Sequence, residues 1–256
     1  MNLAYETFGD PANPPIMALH GFMSCNDQWL RNRDALSESH FLVTVELWGH
    51  GDSPTPDDTE AYTIDTYIAQ FESIRTELKI EQWALIGQSY GAGLVVNYAE
   101  RCPAQCTAVI VTNSRSAFGS LDSGQQPARR PGQQSQRTSS EPDPDMRKLP
   151  YHPIHARRFP EEVKQALVRK ADAMTPTAIR LGGNLGGQLH SFDLLAQLSQ
   201  PVLLTNGVYE KAFQGNAKKL RERYPHLQIA ELQGGHSVNI EAAAAFNDAV
   251  LKFLQL

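Results

Sequence analysis

The chain has 256 residues and a formal net charge of −5, and 41% of its residues are hydrophobic. A mildly acidic chain without a basic run argues against nucleic acid as its main partner, and no apolar run approaches the roughly 18 residues of a membrane-spanning helix. The absence of a secretory signal and the odd number of cysteines predict a cytoplasmic protein with reduced thiols. No metal site is predicted, because CxxC, HExxH and clustered His/Cys spacings are missing.

Short apolar runs alternate with helical stretches, which is typical of a mainly parallel sheet covered by helices on both faces. The sequence therefore predicts an α/β fold. The predicted strands are residues 3–7, 16–19, 42–46, 83–86, 108–112, 202–205 and 228–232. The first two flank a turn-rich linker at residues 10–14 and are predicted to pair as a hairpin. Helical patterns fall at residues 28–36, 64–78, 94–101, 216–224 and 242–254.

The alternation breaks between residues 114 and 199. Residues 120–145 are polar and rich in Gln, Arg, Pro and Gly, so this segment is predicted to be mobile. Helical patterns follow at residues 160–174 and 176–181. We predict that residues 1–113 and 200–256 form one discontinuous core domain and that residues 114–199 form a cap over the strand ends. The alternative is a surface addition that does not contact the site.

The turn after the fourth predicted strand carries the motif Gly87-Gln88-Ser89-Tyr90-Gly91. A serine between two glycines at a strand-to-helix junction exposes its hydroxyl on a tight, strained turn. The turn also places that oxygen at a helix N-terminus, where the dipole favours negative charge. Ser89 is therefore the candidate nucleophile, and the alternative is an ordinary glycine-bracketed turn.

A serine hydroxyl needs a base, and the base needs an orienting acid, to act at neutral pH. His236 is the candidate base, because its glycine-containing loop is the only histidine-bearing segment beyond the last predicted strand. Glu210 is the candidate acid, because it follows a strand and a glycine turn. The chain order of serine, acid and histidine is the one expected for such a serine turn. The alternative for Glu210 is a solvated surface carboxylate beside Lys211.

The loop after the second predicted strand is a candidate for binding a developing oxyanion. The backbone N–H of Phe22, together with that of Tyr90, is predicted to form this oxyanion hole. His20 is more consistent with bracing the loop than with proton transfer. The glycine-rich loop at residues 48–53 is interpreted as structural, shaping the floor near the site.

Residues next to these motifs are candidates for the wall of a substrate pocket. They are His20, Met23, Trp29, Trp48, Tyr90, Phe118 and Arg115. The alternative for the aromatic and aliphatic ones is plain core. An apolar wall would favour acyl or aromatic substrates.

Taken together, the segments at residues 20–22, 47–53, 87–91, 201–210 and 234–236 resemble the successive landmarks of the α/β-hydrolase superfamily. The resemblance spans residues 1 to about 112 and 200–256. It implies an eight-stranded, mostly parallel sheet with one N-terminal strand missing here, a Ser–His–acid triad, and no cofactor. Two positions depart from the family pattern: Glu210 stands where Asp is usual, and Trp48 where Pro is usual. A second acid position, after Thr112, holds Asn113, which supplies no carboxylate.

The resemblance implies a serine hydrolase that cleaves a carboxylic ester, thioester or lactone of a small molecule through an acyl-enzyme. A serine disfavours the dehalogenase and epoxide hydrolase chemistry of the superfamily, which uses Asp at that position. One alternative is carbon–carbon bond cleavage, as in meta-cleavage product hydrolases or pyruvate-eliminating enzymes of menaquinone synthesis. Those enzymes hold carboxylates with cationic groups, for which Arg115, Arg157 and Arg158 are candidates. An alternative of another class is a non-catalytic ligand receptor.

Overall fold

A computed structural model describes residues 1–119 and 145–255 of the chain. Within these ranges one sheet of seven strands forms the centre of the fold. The strands are β1 (Tyr5–Phe8), β2 (Pro15–Leu19), β3 (Phe41–Val45), β4 (Trp83–Gly87), β5 (Cys106–Thr112), β6 (Val202–Gly207) and β7 (Gln228–Leu232). They lie in the order β1-β3-β2-β4-β5-β6-β7, and all neighbours are parallel except β1 and β3. The predicted α/β fold is confirmed.

The predicted N-terminal hairpin is wrong, because β1 does not pair with β2. Instead β1 runs antiparallel to β3, with Tyr5 opposite Val45, and β3 lies parallel to β2, with Pro15 opposite Phe41. All five residues of β3 are buried, whereas Glu6 and Thr7 of β1 are exposed. A strand that is buried throughout belongs inside a sheet and a half-exposed one at its edge, so β3 separates the two strands.

Nine α-helices surround this sheet in the described parts of the chain. They are α1 (Arg33–Ser37), α2 (Ile64–Glu77), α3 (Tyr90–Arg101), α4 (Arg115–Phe118), α5 (Glu161–Asp172), α6 (Pro176–Gly186), α7 (Lys211–Arg223), α8 (Val238–Glu241) and α9 (Ala243–Leu254). The pattern at residues 28–36 is not one helix but a 3₁₀ turn, Asn26–Trp29, followed by α1. None of the described helices is long and apolar enough to cross a membrane.

Both faces of the inner strands β2 to β6 are largely buried, which explains their mainly apolar sequences. Along β4, Trp83 and Leu85 belong to one core cluster, whereas Ala84 and Ile86 belong to the other. The first cluster includes buried residues of α2 and α3, and the second includes those of α9. Because β2, β4, β6 and β7 all run in the same direction, their carboxyl ends lie at one edge of the sheet.

The predicted mobile segment, residues 120–145, lies outside the described residues except for Asp145. The described part of the insertion contacts core loops through α5 and α6. Lys170 on α5 forms an ion pair with Asp52, and the Tyr90 hydroxyl donates to the Gly182 carbonyl on α6 at 2.9 Å. The division into core and cap stays a prediction.

Candidate active site

The turn between β4 and α3 holds Ser89 in a strained backbone conformation. Its φ is 51° and its ψ is −106°, which is a sparsely populated region for a residue with a side chain. Both flanking glycines are sterically required. A Cβ at Gly87 would lie 2.4 Å from the Gly91 carbonyl oxygen, and one at Gly91 would lie 2.6 Å from the Leu19 carbonyl oxygen. The glycines therefore allow the turn that presents the Ser89 hydroxyl.

Ser89, His236 and Glu210 form a continuous series of hydrogen bonds. The Ser89 Oγ lies 2.8 Å from His236 Nε2, and His236 Nδ1 lies 3.0 Å from Glu210 Oε1. Glu210 follows β6 and His236 follows β7, so two adjacent strands deliver the acid and the base. Their loops meet closely, because a Cβ at Gly207 would lie 2.0 Å from the Gly235 carbonyl oxygen.

The charge of Glu210 fixes the hydrogen-bonding roles of His236. Burial raises the pKa of Glu210, but the hydrogen bond and charge of His236, the amide of Asn113 and the charge of Arg115 together lower it below its ordinary value. An ionised carboxylate only accepts hydrogen bonds, so His236 Nδ1 donates to it. In neutral His236, Nε2 then carries the lone pair and accepts from the Ser89 hydroxyl, which is the arrangement a general base needs.

Asn113 supports the acid loop although it supplies no carboxylate. Its side-chain amide donates to the Gly207 carbonyl at 3.0 Å, and its Oδ1 accepts from the Gly207 N–H at 2.9 Å. This paired hydrogen bond joins the end of β5 to the end of β6. It holds the start of the loop that carries Glu210, a role the sequence did not predict.

The backbone around Ser89 leaves one N–H group without a protein acceptor in the described structure. The Ser89 N–H donates to Thr112 Oγ1 at 3.1 Å, and the Gly91 N–H donates to the Gln88 carbonyl at 2.8 Å. The Tyr90 N–H between them is the first of α3 and has no such bond among the residues described. It is therefore available to an oxygen bound beside Ser89.

In the loop after β2, the Phe22 N–H also has no acceptor among the residues that the structure describes. The Gly21 carbonyl is held by the His20 ring at 2.7 Å and by the Ser24 N–H at 3.2 Å. The N–H of the same trans peptide, which belongs to Phe22, points the opposite way. The next N–H, that of Met23, donates to His50 Nε2 at 3.1 Å. The N–H groups of Phe22 and Tyr90 therefore remain the predicted donors of an oxyanion hole.

His20 and His50 brace this loop from inside the protein. Besides contacting Gly21, His20 accepts from the Leu47 N–H at 3.1 Å through Nε2, and His50 Nδ1 lies 2.9 Å from the Trp48 carbonyl. Burial lowers the pKa of His20 to about 3 and that of His50 to about 4. Both rings are therefore neutral at neutral pH, which lets their Nε2 atoms accept backbone N–H groups.

These histidines predict a measurable dependence of stability on pH. Unfolded His50 takes up a proton below about 6.5, whereas the folded residue does so only near 4. The free energy of unfolding should therefore fall with falling pH in this window, by up to about 1.4 kcal/mol per pH unit for each such histidine. His50→Gln, whose amide oxygen can still accept from Met23, should flatten that slope in denaturant titrations at several pH values. Identical slopes in the two proteins would contradict this assignment.

A cavity of about 680 Å³ opens beside Ser89, a size suited to a small molecule. Met23, Tyr90 and Arg115 line it, as predicted for the pocket wall. His20, Trp29, Trp48 and Phe118 do not, and these four predictions are corrected. All four are buried and are not among the residues that line the cavity, because position next to a motif does not fix the direction of a side chain. Trp29, for example, packs against Phe246.

Sequence reasoning missed the part of the cavity wall that the insertion supplies. The added residues include Tyr151, His152, Phe159 and Gly186. The Phe22 ring stacks on the Tyr90 ring at 5.6 Å between centroids and meets the Tyr151 ring edge-on at 5.5 Å. The aromatic and proline content of residues 150–159 was the available signal. The described residues hold no group of three or more side chains suited to a metal ion.

Comparisons with known proteins identify the family and support the fold. A family model described as the alpha/beta hydrolase fold matches residues 14–243. A Bacillus subtilis (strain 168) protein provisionally named 2-succinyl-6-hydroxy-2,4-cyclohexadiene-1-carboxylate synthase is 21% identical over 96% of this chain and 92% of its own. A proline iminopeptidase of Lactobacillus delbrueckii subsp. lactis is 22% identical over 94% of this chain and 90% of its own.

Among solved structures, the enol-lactonase from Burkholderia xenovorans LB400 superposes with a TM-score of 0.75 and 22% identity. The match covers 99% of this chain and 96% of that one. At this identity the likeness supports the fold. Because the family model spans most of the chain and the sheet has the corresponding architecture, this protein belongs to the α/β-hydrolase family.

Proposed function

We propose that this protein is a serine hydrolase that cleaves a carboxylic ester, or a related thioester or lactone, through an acyl-enzyme on Ser89. The observation that carries the proposal is the series Ser89–His236–Glu210, with separations of 2.8 and 3.0 Å. The two available N–H groups of Phe22 and Tyr90 support it, because acyl transfer requires donors for a developing oxyanion.

The proposed reaction begins with attack of Ser89 Oγ on the substrate carbonyl carbon, while the hydroxyl proton passes to His236 Nε2. Glu210 stabilises the resulting imidazolium, and the Phe22 and Tyr90 N–H groups stabilise the oxyanion by roughly 2.7–4 kcal/mol per donor. His236 then protonates the leaving oxygen or sulfur, and the acyl-enzyme forms. A water molecule, deprotonated by His236, attacks the acyl carbon and releases the acid and free Ser89.

The cavity supports an acyl substrate with apolar or aromatic parts. Its wall includes Met23, Tyr151, Phe159 and the ring of Phe22, and such walls stabilise bound apolar groups by removing them from water. Carbon–carbon bond cleavage is the second candidate. Arg115 at the cavity favours it, because a guanidinium is suited to binding a substrate carboxylate, and so does the name of the Bacillus subtilis relative.

A panel of substrates tests the proposal. Wild-type protein and Ser89→Ala would be compared on p-nitrophenyl esters from acetate to decanoate, on proline p-nitroanilide, and on a dienone that reports carbon–carbon cleavage. We expect Ser89-dependent hydrolysis of at least one ester to exceed the other activities. Dienone turnover without ester turnover would replace the proposal by the second candidate. No turnover and no labelling of Ser89 by a fluorophosphonate would favour a receptor.

Gly186 is expected to set the depth of the cavity. It lies on α6, lines the cavity, and a Cβ added there would meet the Tyr90 ring at an ordinary contact distance of 3.7 Å. Gly186→Val should therefore fold normally and project into the cavity. We expect kcat/KM for long-chain esters to fall about tenfold relative to acetate, the scale of one or two lost methylene sites. Gly187→Val, at an exposed position, is the control, and an unchanged chain-length profile would place the acyl group elsewhere.

A further inference from the structure

A cluster of four buried amide side chains lies behind the loop that carries Phe22. Its members, the amide cluster, are Gln28, Asn32, Asn239 and Asn247, and each is at most 7% exposed. Buried amides are retained in proteins when their hydrogen bonds are made, and they then fix the relative position of the segments that they join. The cluster joins two segments far apart in the chain, around Gln28 and around Asn239.

The cluster begins on the segment that carries the proposed base. Asn239 lies three residues after His236, on α8. Its Nδ2 donates to the Gln28 carbonyl at 3.0 Å and to Asn32 Oδ1 at 3.1 Å. Its Oδ1 accepts from Gln28 Nε2 at 3.3 Å. Asn239 therefore holds both the main chain and the side chain of Gln28.

At its other end the amide cluster contacts the backbone next to Phe22, the proposed oxyanion donor. Gln28 Oε1 accepts from the Gly21 N–H at 3.3 Å, and Gly21 immediately precedes Phe22. The Gly21 carbonyl is already held by His20, so Gln28 fixes the remaining polar group of this glycine. A continuous path of hydrogen bonds thus leads from Asn239, through Gln28, to Gly21, and the next residue, Phe22, lines the cavity.

We propose that Asn239 and Gln28 are positioning residues that set the Phe22 N–H at a fixed distance from His236 and Ser89. The inference rests on the proposed function, because the Phe22 N–H matters only if an oxyanion forms there. Asn239 does not line the cavity, whereas Gln28 does, so Asn239 acts through Gln28. Because the oxyanion is present in the transition state and not in bound substrate, misplacing the donor lowers kcat and leaves KM nearly unchanged.

The cluster provides its own matched control. Asn247 accepts from Asn32 Nδ2 at 2.8 Å and donates to the Arg31 carbonyl at 3.2 Å, but it has no bond to Gln28 or Asn239 within the described chain. Asn247→Leu and Asn239→Leu replace the same amide by an apolar group of similar size. A purely structural cluster would respond alike to both substitutions.

The experiment compares wild type, Asn239→Leu, Gln28→Met and Asn247→Leu on the best p-nitrophenyl ester. The melting temperature of each variant is measured beside kcat, KM and inhibition by a trifluoromethyl ketone, whose hemiketal oxygen occupies the oxyanion hole. For Asn239→Leu and Gln28→Met we expect kcat to fall and the inhibition constant to rise by about tenfold each, with KM within about twofold. The double variant should be no slower than the slower single one. Asn247→Leu should lose only thermal stability.

Gln28→Met keeps the length of the side chain and tests the link on its own if Asn239→Leu does not fold. Unchanged kcat and ketone inhibition in folded Asn239→Leu or Gln28→Met would overturn the inference, while Ser89-dependent ester hydrolysis by the wild type would leave the proposed function intact. Equal losses of kcat in Asn239→Leu and Asn247→Leu would also overturn it. A wild type without Ser89-dependent hydrolysis of any ester would overturn both proposals.

Discussion

Replacement of Ser89 by Ala is expected to reduce ester hydrolysis by on the order of 10⁴- to 10⁶-fold, leaving only what the oxyanion donors and binding contribute. The hydroxyl is the only group removed, and Ala fits the backbone no worse than Ser because both carry a Cβ. The folded state should therefore survive. The measurement is kcat on a p-nitrophenyl ester, supported by loss of fluorophosphonate labelling in the intact protein's mass.

Ser116→Ala is the matched control for this experiment. Ser116 also lines the cavity, but its hydroxyl lies 3.1 Å from Ser114 Oγ and has no bond to His236. Its activity should stay within about twofold of wild type, as for substitutions that remove no transition-state contact. Ser89→Ala that retained a tenth of the wild-type rate would show that another nucleophile acts.

Replacement of Glu210 by Gln is expected to lower kcat by about 10³- to 10⁴-fold with little change in KM. The neutral amide keeps the size of the side chain but removes the charge that stabilises protonated His236. It can also donate to the ring, which favours the tautomer with its proton on Nε2, facing Ser89. The fold should persist because Asn113, not Glu210, joins the loop to β5.

Glu241→Gln is the control carboxylate. Glu241 lines the same cavity and accepts from the Gly235 N–H at 2.8 Å, a bond that the amide oxygen of Gln can also accept. A small effect is therefore expected there. If Glu241→Gln lost more activity than Glu210→Gln, Glu210 would be the wrong acid.

The lowered pKa of Glu210 also predicts how stability depends on acid. The stabilisation that this carboxylate contributes is fully present above its ordinary pKa and is lost as the pH falls through its lowered, folded-state value. In Glu210→Gln this part of the acid dependence should disappear, while the histidine-dependent part at higher pH remains. Denaturant titrations below and above the ordinary carboxyl range separate the two.

Parallel strands with two buried faces are what the sequence predicts most accurately. The segments of β2, β3, β4, β5 and β6 are mainly apolar, and the positions of these strands followed from that pattern. The order of the strands did not follow from the sequence, because the turn that joins β1 and β2 suits a hairpin. Only the burial of β3 indicates that β3 lies between these two strands. Pairing is a long-range property that a local pattern does not contain.

The sequence likewise indicates only part of the candidate site. Glycines and chain order single out Ser89, His236 and Glu210 at a strained turn and two strand ends, and the fold brings these three side chains into hydrogen-bond contact. Of the candidates for the pocket wall, Met23, Tyr90 and Arg115 line the cavity, whereas Trp48 and Phe118 follow the same motifs yet are buried in the core. The residues that replace them come from the insertion, whose helices carry a helical pattern but no sign of which loop they contact.

The long insertion between the neighbouring strands β5 and β6 has a consequence for the nascent chain. Strand β5 pairs with β6, but residues 113–201 are translated between them. Until β6 emerges, β5 is a temporary edge whose unpaired backbone and apolar side chains invite association with other chains. Strands β6 and β7 close that edge and deliver Glu210 and His236 in the same step. Slower translation of residues 113–201 should therefore increase aggregation during expression without changing the specific activity of the protein that folds.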